Sequence, residues 1–291
     1  MKTLEKKSEI YYKLWDNVQN PKAVLQVFHG MVEHILRYEN FAKFLNANSI
    51  IVVGMDIRGH GKTGATSNKL GYLADEDGWD LVIEDQHDLY LQLRNRYSSL
   101  PFILLGHSMG SFFARSYINT YPNDFDKAII MGTGKVDDIS YKFARLLLSF
   151  MNKSKDANMM DSMAFGSYNK SIDQPKTAYD WLSHDQNQVQ KYVNDPLCGF
   201  MVKNSFYKDF MYGMNKIAKL EKDVQYKKPV LFIAGKEDPV GNYGKFVEEA
   251  FNKYKPKGNA KLTLYPKMRH EILNEIDRNK VYEDILEFIL A

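Results

Sequence analysis

The sequence feature that most constrains this chain is a serine that stands between two glycines directly after an apolar run. The run covers residues 102–105, and the next five residues are Gly106-His107-Ser108-Met109-Gly110. A strand, a tight turn and a helix in this order force the central residue into a strained backbone conformation, and flanking glycines avoid side-chain collisions. The pattern therefore predicts a Ser108 hydroxyl exposed at the carboxyl end of a sheet, although a serine here can also cap a helix.

Composition and charge narrow the classes to which the chain can belong. Hydrophobic residues make up 44% and charged residues 26% of the 291 residues, as in ordinary globular proteins. The lysines are scattered, which argues against nucleic acid as a partner, because a nucleic-acid interface needs a basic face. The single cysteine, Cys198, fits a reducing compartment, and the first nine residues lack the apolar core of a secretion signal. We expect a cytoplasmic protein with one large domain, with or without an insertion.

Apolar runs that alternate with helical patterns predict an α/β fold. The predicted strands are residues 10–15, 23–28, 49–55, 102–105, 127–131, 229–234 and 261–265. Strands that are apolar throughout are typical of a mostly parallel sheet that helices cover on both faces. The glycine-rich residues 56–64 predict turns. Between Lys135 and Gln225 the alternation stops, so we expect a core made of residues 1–134 and 226–291 and a helical insertion of residues 135–225.

Two residues downstream of Ser108 fit the partners that a serine nucleophile needs. A serine hydroxyl needs a base that takes its proton and a third group that holds this base in one tautomer. Asp238 and His270 each follow a predicted strand, and ligands collect at the carboxyl ends of strands in open α/β sheets. Glu237 is the alternative acid. Asp238 can also be a turn residue before a proline, and His270 can cap the helix that it opens.

Two backbone N–H groups are candidates to stabilise the negative charge that develops when a carbonyl is attacked. The Met109 N–H directly follows the serine, and the Met31 N–H lies in the loop after the first central strand. This loop begins with His29 and Gly30, and His29 is expected to brace it rather than to react. The loop can also be an ordinary glycine turn.

With these residues in order, the chain resembles the α/β-hydrolase superfamily over nearly its whole length. Within the superfamily it resembles the monoacylglycerol lipase and lysophospholipase-like serine hydrolases of the serine aminopeptidase S33 type, and the order serine, aspartate, histidine agrees. The matching segments are residues 29–34 with Arg37-Tyr38, 56–61, 106–110, 195–198, 235–240 and 265–271. Val32 and Ser111 stand where relatives often have glycine. At Val32 we expect a stiffer or differently shaped oxyanion loop.

The resemblance implies that the insertion of residues 135–225 is a cap that covers the active site and selects the substrate. It holds seven of the thirteen methionines, and methionine and aromatic surfaces adapt to flexible apolar ligands, although these residues can also form the cap's own core. Residues 141–151 are amphipathic with basic flanks, so this segment can rest on a lipid surface or pack on its own domain. The candidate substrate-binding residues are His29, Gly30, His107, Phe143, Leu147, Met160, Met211 and Val240.

The sequence as a whole predicts a serine carboxylic-ester hydrolase that forms an acyl-enzyme on Ser108. The expected substrates are small lipophilic esters, namely monoacylglycerols, lysophospholipids or similar medium-chain acyl esters. No cofactor and no metal are expected, since no residue pair has the ligand spacing of zinc enzymes. A capped aminopeptidase or amidase is the first alternative, with Asp161, Asp173 or Asp185 as the anchor for a substrate amine. A ligand receptor without turnover is the second, and the sequence indicates no oligomeric state.

Overall fold

The centre of the fold is a seven-stranded sheet, and the predicted α/β architecture is confirmed. The computed structural model describes residues 9–136, 146–148 and 150–291. The strands are β1 (Tyr12–Trp15), β2 (Ala23–Phe28), β3 (Ile50–Met55), β4 (Phe102–His107), β5 (Lys127–Met131), β6 (Val230–Gly235) and β7 (Ala260–Tyr265). Their order across the sheet is β1-β3-β2-β4-β5-β6-β7. β1 is antiparallel to β3, and the other neighbouring strands are parallel.

Helices cover both faces of this sheet, which explains why its central strands are almost entirely apolar. The described α-helices are α1 (Glu39–Ala47), α2 (Gly61–Thr66), α3 (Gly78–Arg96), α4 (Met109–Thr120), α5 (Asn158–Phe165), α6 (Gln186–Asn194), α7 (Asn204–Leu220), α8 (Lys245–Tyr254) and α9 (Arg278–Leu290). Val24 and Leu104 belong to a core that includes residues of α3, α4 and α8, whereas Leu25 and Ile103 belong to one formed with α1 and α9. Each central strand therefore contributes side chains to two hydrophobic cores, one on each face of the sheet, and has no solvent-facing side.

Residues 56–64, for which the sequence predicts turns, include the beginning of the short helix α2. The buried Asp56 carboxylate accepts hydrogen bonds from the backbone N–H of Lys62 at 2.7 Å and from that of Ile35 at 2.8 Å. Gly61 has a φ of +49°, and a side chain at this position would collide with Asp56. The helix forms because a carboxylate satisfies one of its first N–H groups, which a count of turn-forming residues does not reveal.

The segment between β5 and β6 is helical in the part that the structure describes. Apart from one bridge between Asp156 and Lys203, its described residues form no strand. Helix α7 packs against α3 and α4, and its buried Phe206 and Met214 belong to the same core as the sheet. A smaller cluster forms around Trp181. The segment therefore shares a core with the sheet and also has a small core of its own.

None of the described helices combines sufficient length with sufficient apolar character to span a bilayer.

A buried ion pair joins helix α4 to the end of α7. The Arg115 guanidinium donates two hydrogen bonds of 2.7 Å to the Glu221 carboxylate, and both side chains are almost completely buried. Glu221 also accepts hydrogen bonds from Lys253 at 3.0 Å and from the Tyr254 hydroxyl at 3.1 Å. Burial raises the pKa of Glu221, but Arg115 and Lys253 together lower it more, so the pKa lies below its ordinary value. The carboxylate is therefore charged and fully hydrogen-bonded, the condition under which a buried ion pair is tolerated.

The substitution Glu221→Gln should destabilise the protein by about 3–5 kcal/mol, because the buried Arg115 guanidinium then lacks its counter-charge. The matched control is Glu39→Gln, which removes the exposed partner of Lys43 on α1 and should cost less than about 1 kcal/mol. Urea unfolding of both variants measures the two changes in the free energy of unfolding. Equal effects would show that the buried pair does not support the fold.

Candidate active site

Ser108 occupies the sharp turn between β4 and α4. Its φ of 53° and ψ of −120° are strained for a residue with a side chain. Its N–H donates a hydrogen bond of 2.9 Å to the Met131 carbonyl, which fixes the turn to β5. A Cβ at Gly110 would lie 2.0 Å from the Phe28 carbonyl oxygen, and one at Gly106 would lie 2.4 Å from the Gly110 carbonyl oxygen. Close backbone approach therefore requires both glycines, and it leaves the half-buried Ser108 between fully buried neighbours.

His270 and Asp238 meet at the carboxyl ends of β7 and β6. The His270 Nδ1 lies 2.9 Å from Asp238 Oδ2, and both side chains are buried. The other carboxylate oxygen of Asp238 accepts a hydrogen bond of 2.9 Å from the Val240 N–H. An Nδ1–H that donates to the carboxylate leaves the lone pair of the neutral ring on Nε2. Glu237, the alternative acid, is instead half-exposed and lies 3.1 Å from His184.

The pKa of His270 is the result of two opposed effects. Burial lowers it, because an imidazolium loses its hydration in the protein interior. The negative charge of Asp238 and the hydrogen bond to it raise it more, so the pKa lies above the ordinary value of 6.5. Contact with Asp238 therefore favours the imidazolium, the form that a base reaches when it has taken up a proton.

A cavity of about 740 Å³ lies between the sheet and the segment that follows β5, and Ser108 and His270 both line it. Met31 and Met109, whose N–H groups are the predicted oxyanion donors, line it as well. Its walls are largely apolar, and the residues that come from the segment after β5 include Met160, Phe165, Trp181, Tyr207, Phe210 and Met211. Among the described residues, no group with metal-ligand distances lies in this lining; the one group of that kind lies elsewhere.

The predicted substrate-binding residues divide into three sets. Those that line the cavity are Gly30, His107, Met160, Met211 and Val240. His29 and Leu147 are not part of the lining, and Leu147 is 39% exposed on the surface. Phe143 lies outside the described residues.

His29 lies behind the cavity wall because the backbone uses both of its ring nitrogens. Its Nε2 accepts a hydrogen bond of 2.9 Å from the Ile57 N–H, and its Nδ1 lies 2.7 Å from the Gly30 carbonyl oxygen. Burial lowers its pKa to about 4. A neutral imidazole thus connects the loops that follow β2 and β3.

A network of buried charges supports the loop after β2 and was not assigned a role from the sequence. The Glu33 carboxylate accepts hydrogen bonds of 2.5 Å from the Gly30 N–H, 2.9 Å from the Tyr38 hydroxyl and 2.7 Å from Arg37. Arg37 also donates two hydrogen bonds, of 2.5 and 2.7 Å, to Glu271, which directly follows His270. The sequence contains one hint of this network, namely the opposite charges of Glu33 and Arg37, which stand four residues apart in the segment that matches the family.

Val32, where relatives often have glycine, has a backbone conformation that favours glycine. Its φ is +49°, and a β-branched residue in this region is strained by about 1–3 kcal/mol. The Val32 carbonyl oxygen accepts hydrogen bonds from the Gly199 N–H at 2.9 Å and from the Tyr192 hydroxyl at 3.1 Å. The segment after β5 therefore holds the loop that carries the Met31 N–H.

The mostly parallel sheet, the strained serine after β4 and the aspartate–histidine pair after β6 and β7 define the class of protein, an α/β-hydrolase. A family model described as serine aminopeptidase, S33, matches residues 19–277, and the chain belongs to this family.

Individual relatives carry lipase and esterase names. The monoacylglycerol lipase of Mycolicibacterium smegmatis is 24% identical over 287 residues, which cover 97% of this chain and 93% of the relative. The human monoglyceride lipase is 25% identical over 240 residues, covering 79% of this chain and 69% of the relative. The crystal structure of a thermostable carboxyl esterase from Bacillus coagulans in complex with glycerol matches with a TM-score of 0.89 and 30% identity. The match covers 96% of this chain and 93% of the esterase.

The pKa of His270 should depend on the Asp238 carboxylate. In the native protein the imidazole should titrate above pH 6.5, and in Asp238→Asn its pKa should fall, because burial remains and the negative charge is gone. NMR titration of the histidine ring signals measures both values. Glu237→Gln is the control and should leave the titration unchanged, whereas an unaltered midpoint in Asp238→Asn would contradict the assignment.

Proposed function

We propose that this protein is a serine carboxylic-ester hydrolase whose substrates are monoacylglycerols or similar lipophilic acyl esters. The observation that carries the proposal is the cavity that Ser108 shares with His270, which is held by Asp238. Relatives named as monoacylglycerol lipases and a carboxyl esterase support the ester class. The expected reaction needs only side chains and backbone N–H groups of this chain.

The proposed mechanism has an acylation step and a hydrolysis step. The Ser108 Oγ attacks the ester carbonyl carbon while His270 Nε2 takes the hydroxyl proton. His270 then gives this proton to the leaving alcohol as the C–O bond breaks, and the acyl group remains on Ser108. Water attacks the acyl carbonyl carbon while His270 takes one of its protons, and His270 returns this proton to Ser108 Oγ as the bond to the acyl group breaks and the fatty acid leaves. Asp238 keeps the imidazole in the required tautomer and stabilises the imidazolium.

The proposed oxyanion donors are the N–H groups of Met109 and Met31. Met109 is the first residue of α4, so its N–H has no acceptor within the helix and points to where a negative charge is favoured. Met31 lies in the loop that Glu33 and Val32 hold in place. Donors fixed before the reaction lower the barrier because they do not have to reorganise.

We further propose that residues 135–225 form the cap that selects the acyl group. Apolar cavities of this size and with few polar groups suit small lipophilic ligands. Exposed apolar side chains of this segment, Leu146, Phe150 and Met163, support a transient contact of the cap with a lipid surface. More than half of the predicted amphipathic segment 141–151 lies outside the described residues, and its described part is the helical residues 146–148 with residues 150 and 151.

The substitution Ser108→Ala should abolish turnover of monoacylglycerol and of a p-nitrophenyl ester, and it should abolish labelling by a fluorophosphonate, because the nucleophile is gone. Ser111→Ala is the matched control: its hydroxyl donates to the Ser108 carbonyl, and labelling should persist. Labelling that survives in Ser108→Ala would place the nucleophile elsewhere. A folded native protein without turnover on a chain-length series of esters would favour the receptor alternative.

Asp161 bears on the aminopeptidase alternative. Of the three acidic candidates, Asp161 lines the cavity, whereas Asp173 is exposed and Asp185 accepts a hydrogen bond from Asn187. Burial raises the pKa of Asp161. The Tyr207 hydroxyl, also in the lining, is buried and has no hydrogen-bond partner among the residues that the structure describes. This polar region can receive the hydroxyls of an ester's alcohol or the ammonium of an aminoacyl substrate.

We expect Asp161 to accept hydrogen bonds from glycerol hydroxyls. Asp161→Asn should then lower kcat/KM for monoacylglycerol by about ten- to a hundredfold, as removal of a charged acceptor does, and should leave p-nitrophenyl ester hydrolysis nearly unchanged. Parallel assays with aminoacyl amides give the decisive comparison. Amide turnover that exceeds ester turnover and collapses in Asp161→Asn would establish the aminopeptidase instead.

A further inference from the structure

Three potential metal ligands meet beside the loop that follows β2. His34 directly precedes the 3-10 helix Ile35–Tyr38, Asp195 ends α6, and Cys198 lies in the turn after it. The His34 Nε2 lies 2.9 Å from Asp195 Oδ2, and these two atoms and the Cys198 Sγ all lie within 4.8 Å of one another. His34 and Cys198 are buried, whereas Asp195 is half-buried and opens the cluster to solvent.

We propose that His34, Asp195 and Cys198 bind one zinc ion. Imidazole nitrogen, thiolate sulfur and carboxylate oxygen are the ligands that zinc takes in proteins, and sites with three protein ligands complete their coordination with water. With metal–ligand bonds of about 2.0–2.3 Å, the ligand atoms of a tetrahedral site lie about 3.3–3.8 Å apart. The separations in the present cluster, 2.9 Å for His34 to Asp195 and at most 4.8 Å for the other pairs, bracket this range.

The charges around the cluster favour a cation. The carboxylates of Asp195, Glu33 and Glu271 lie close to the Cys198 thiol, and the Arg37 guanidinium lies near it as well. Arg37 is already paired with Glu33 and Glu271. Three carboxylates and one guanidinium leave a formal charge of −2 among these described groups, which a divalent ion would neutralise.

Binding would connect two parts of the protein that the hydrogen bonds already bring together. His34 belongs to the same loop as Val32, and Cys198 precedes Gly199, whose N–H donates to the Val32 carbonyl. On binding, the thiol releases its proton to solvent, and the proton that His34 Nε2 donates to Asp195 gives way to one on Nδ1, so that the Nε2 lone pair can hold the metal. The ion would thereby tie the loop after β2 to the segment after β5 and stabilise the folded state.

Because the chain has a single cysteine, a metal–thiolate signal can come only from this site. Addition of cadmium, which shares zinc's preference for sulfur, should produce a near-ultraviolet charge-transfer band that saturates at one equivalent. The band should be absent in Cys198→Ser. Calorimetric titration with zinc should show one site, weakened at least tenfold in both Cys198→Ser and His34→Gln. Zinc should raise the Tm of the native protein and not that of Cys198→Ser.

The control variant is His184→Gln, which removes a half-buried histidine that lies beside Glu237 and Glu275. It should leave the cadmium band and the zinc affinity unchanged. Circular dichroism of each variant checks the fold without any use of enzyme activity, so the outcome does not depend on the proposed function. Absence of the band in the folded native protein, or zinc affinity that is equal in native protein and Cys198→Ser, would overturn the proposal.

Discussion

The ionic contact of Arg37 with Glu33 and Glu271 is the interaction on which the geometry of the site depends. Its contact with Glu33 fixes the carboxylate that accepts from the Gly30 N–H in the loop after β2. Its contact with Glu271 fixes the residue that directly follows His270. Burial raises the pKa of Glu33, but Arg37, with His107 and His29, holds it well below its ordinary range, so the carboxylate stays charged. Without Arg37, two buried carboxylates would repel each other across the site. One guanidinium thus sets the distance between the proposed oxyanion loop and the proposed base.

The segment after β5 completes this arrangement from the other side. Val32 is strained, and strain of about 1–3 kcal/mol persists only where surrounding contacts determine the conformation. Those contacts are the Gly199 N–H and the Tyr192 hydroxyl on the Val32 carbonyl. The Trp181 side chain of the same segment packs on the His270 ring. The Trp181 carbonyl oxygen also accepts a hydrogen bond from the backbone N–H of His270. A segment that forms the cavity wall therefore also shapes the loop and the histidine, so the proposed substrate selection and the geometry of the proposed site are physically connected.

The sequence predicts those parts of the fold and site that follow from local patterns. Strands buried on both faces are apolar throughout, and the residues that follow them in chain order gave Ser108, Asp238 and His270. Contacts between distant residues have no such local signal: Arg37 and Glu271 are 234 positions apart, and His34 and Asp195 are 161 apart. Helix α2 was missed because Asp56, which precedes it, supplies the capping carboxylate. The sequence leaves His29 both as a brace of its loop and as a candidate substrate-binding residue, because the matching segment does not show which side of the loop the ring occupies.

The histidines near the site show how contact with a carboxylate decides which imidazole can act as a base. His29 and His60 are buried, and burial lowers their pKa values to about 4 and about 3. Both rings therefore stay neutral and form hydrogen bonds with backbone groups. His270 is equally buried, yet direct contact with Asp238 raises its pKa. The two groups also affect stability in opposite ways. The contribution of neutral His29 and His60 is present above pH 6.5 and is lost as the pH falls towards their folded-state values. The contribution of the His270–Asp238 pair is present below pH 6.5 and is lost as the pH rises through the raised pKa of His270. A base must be neutral before it reacts, and His270 becomes neutral as the pH rises through its raised pKa, where this pair stabilises the fold least. This is expected of a residue arranged for proton transfer rather than for stability.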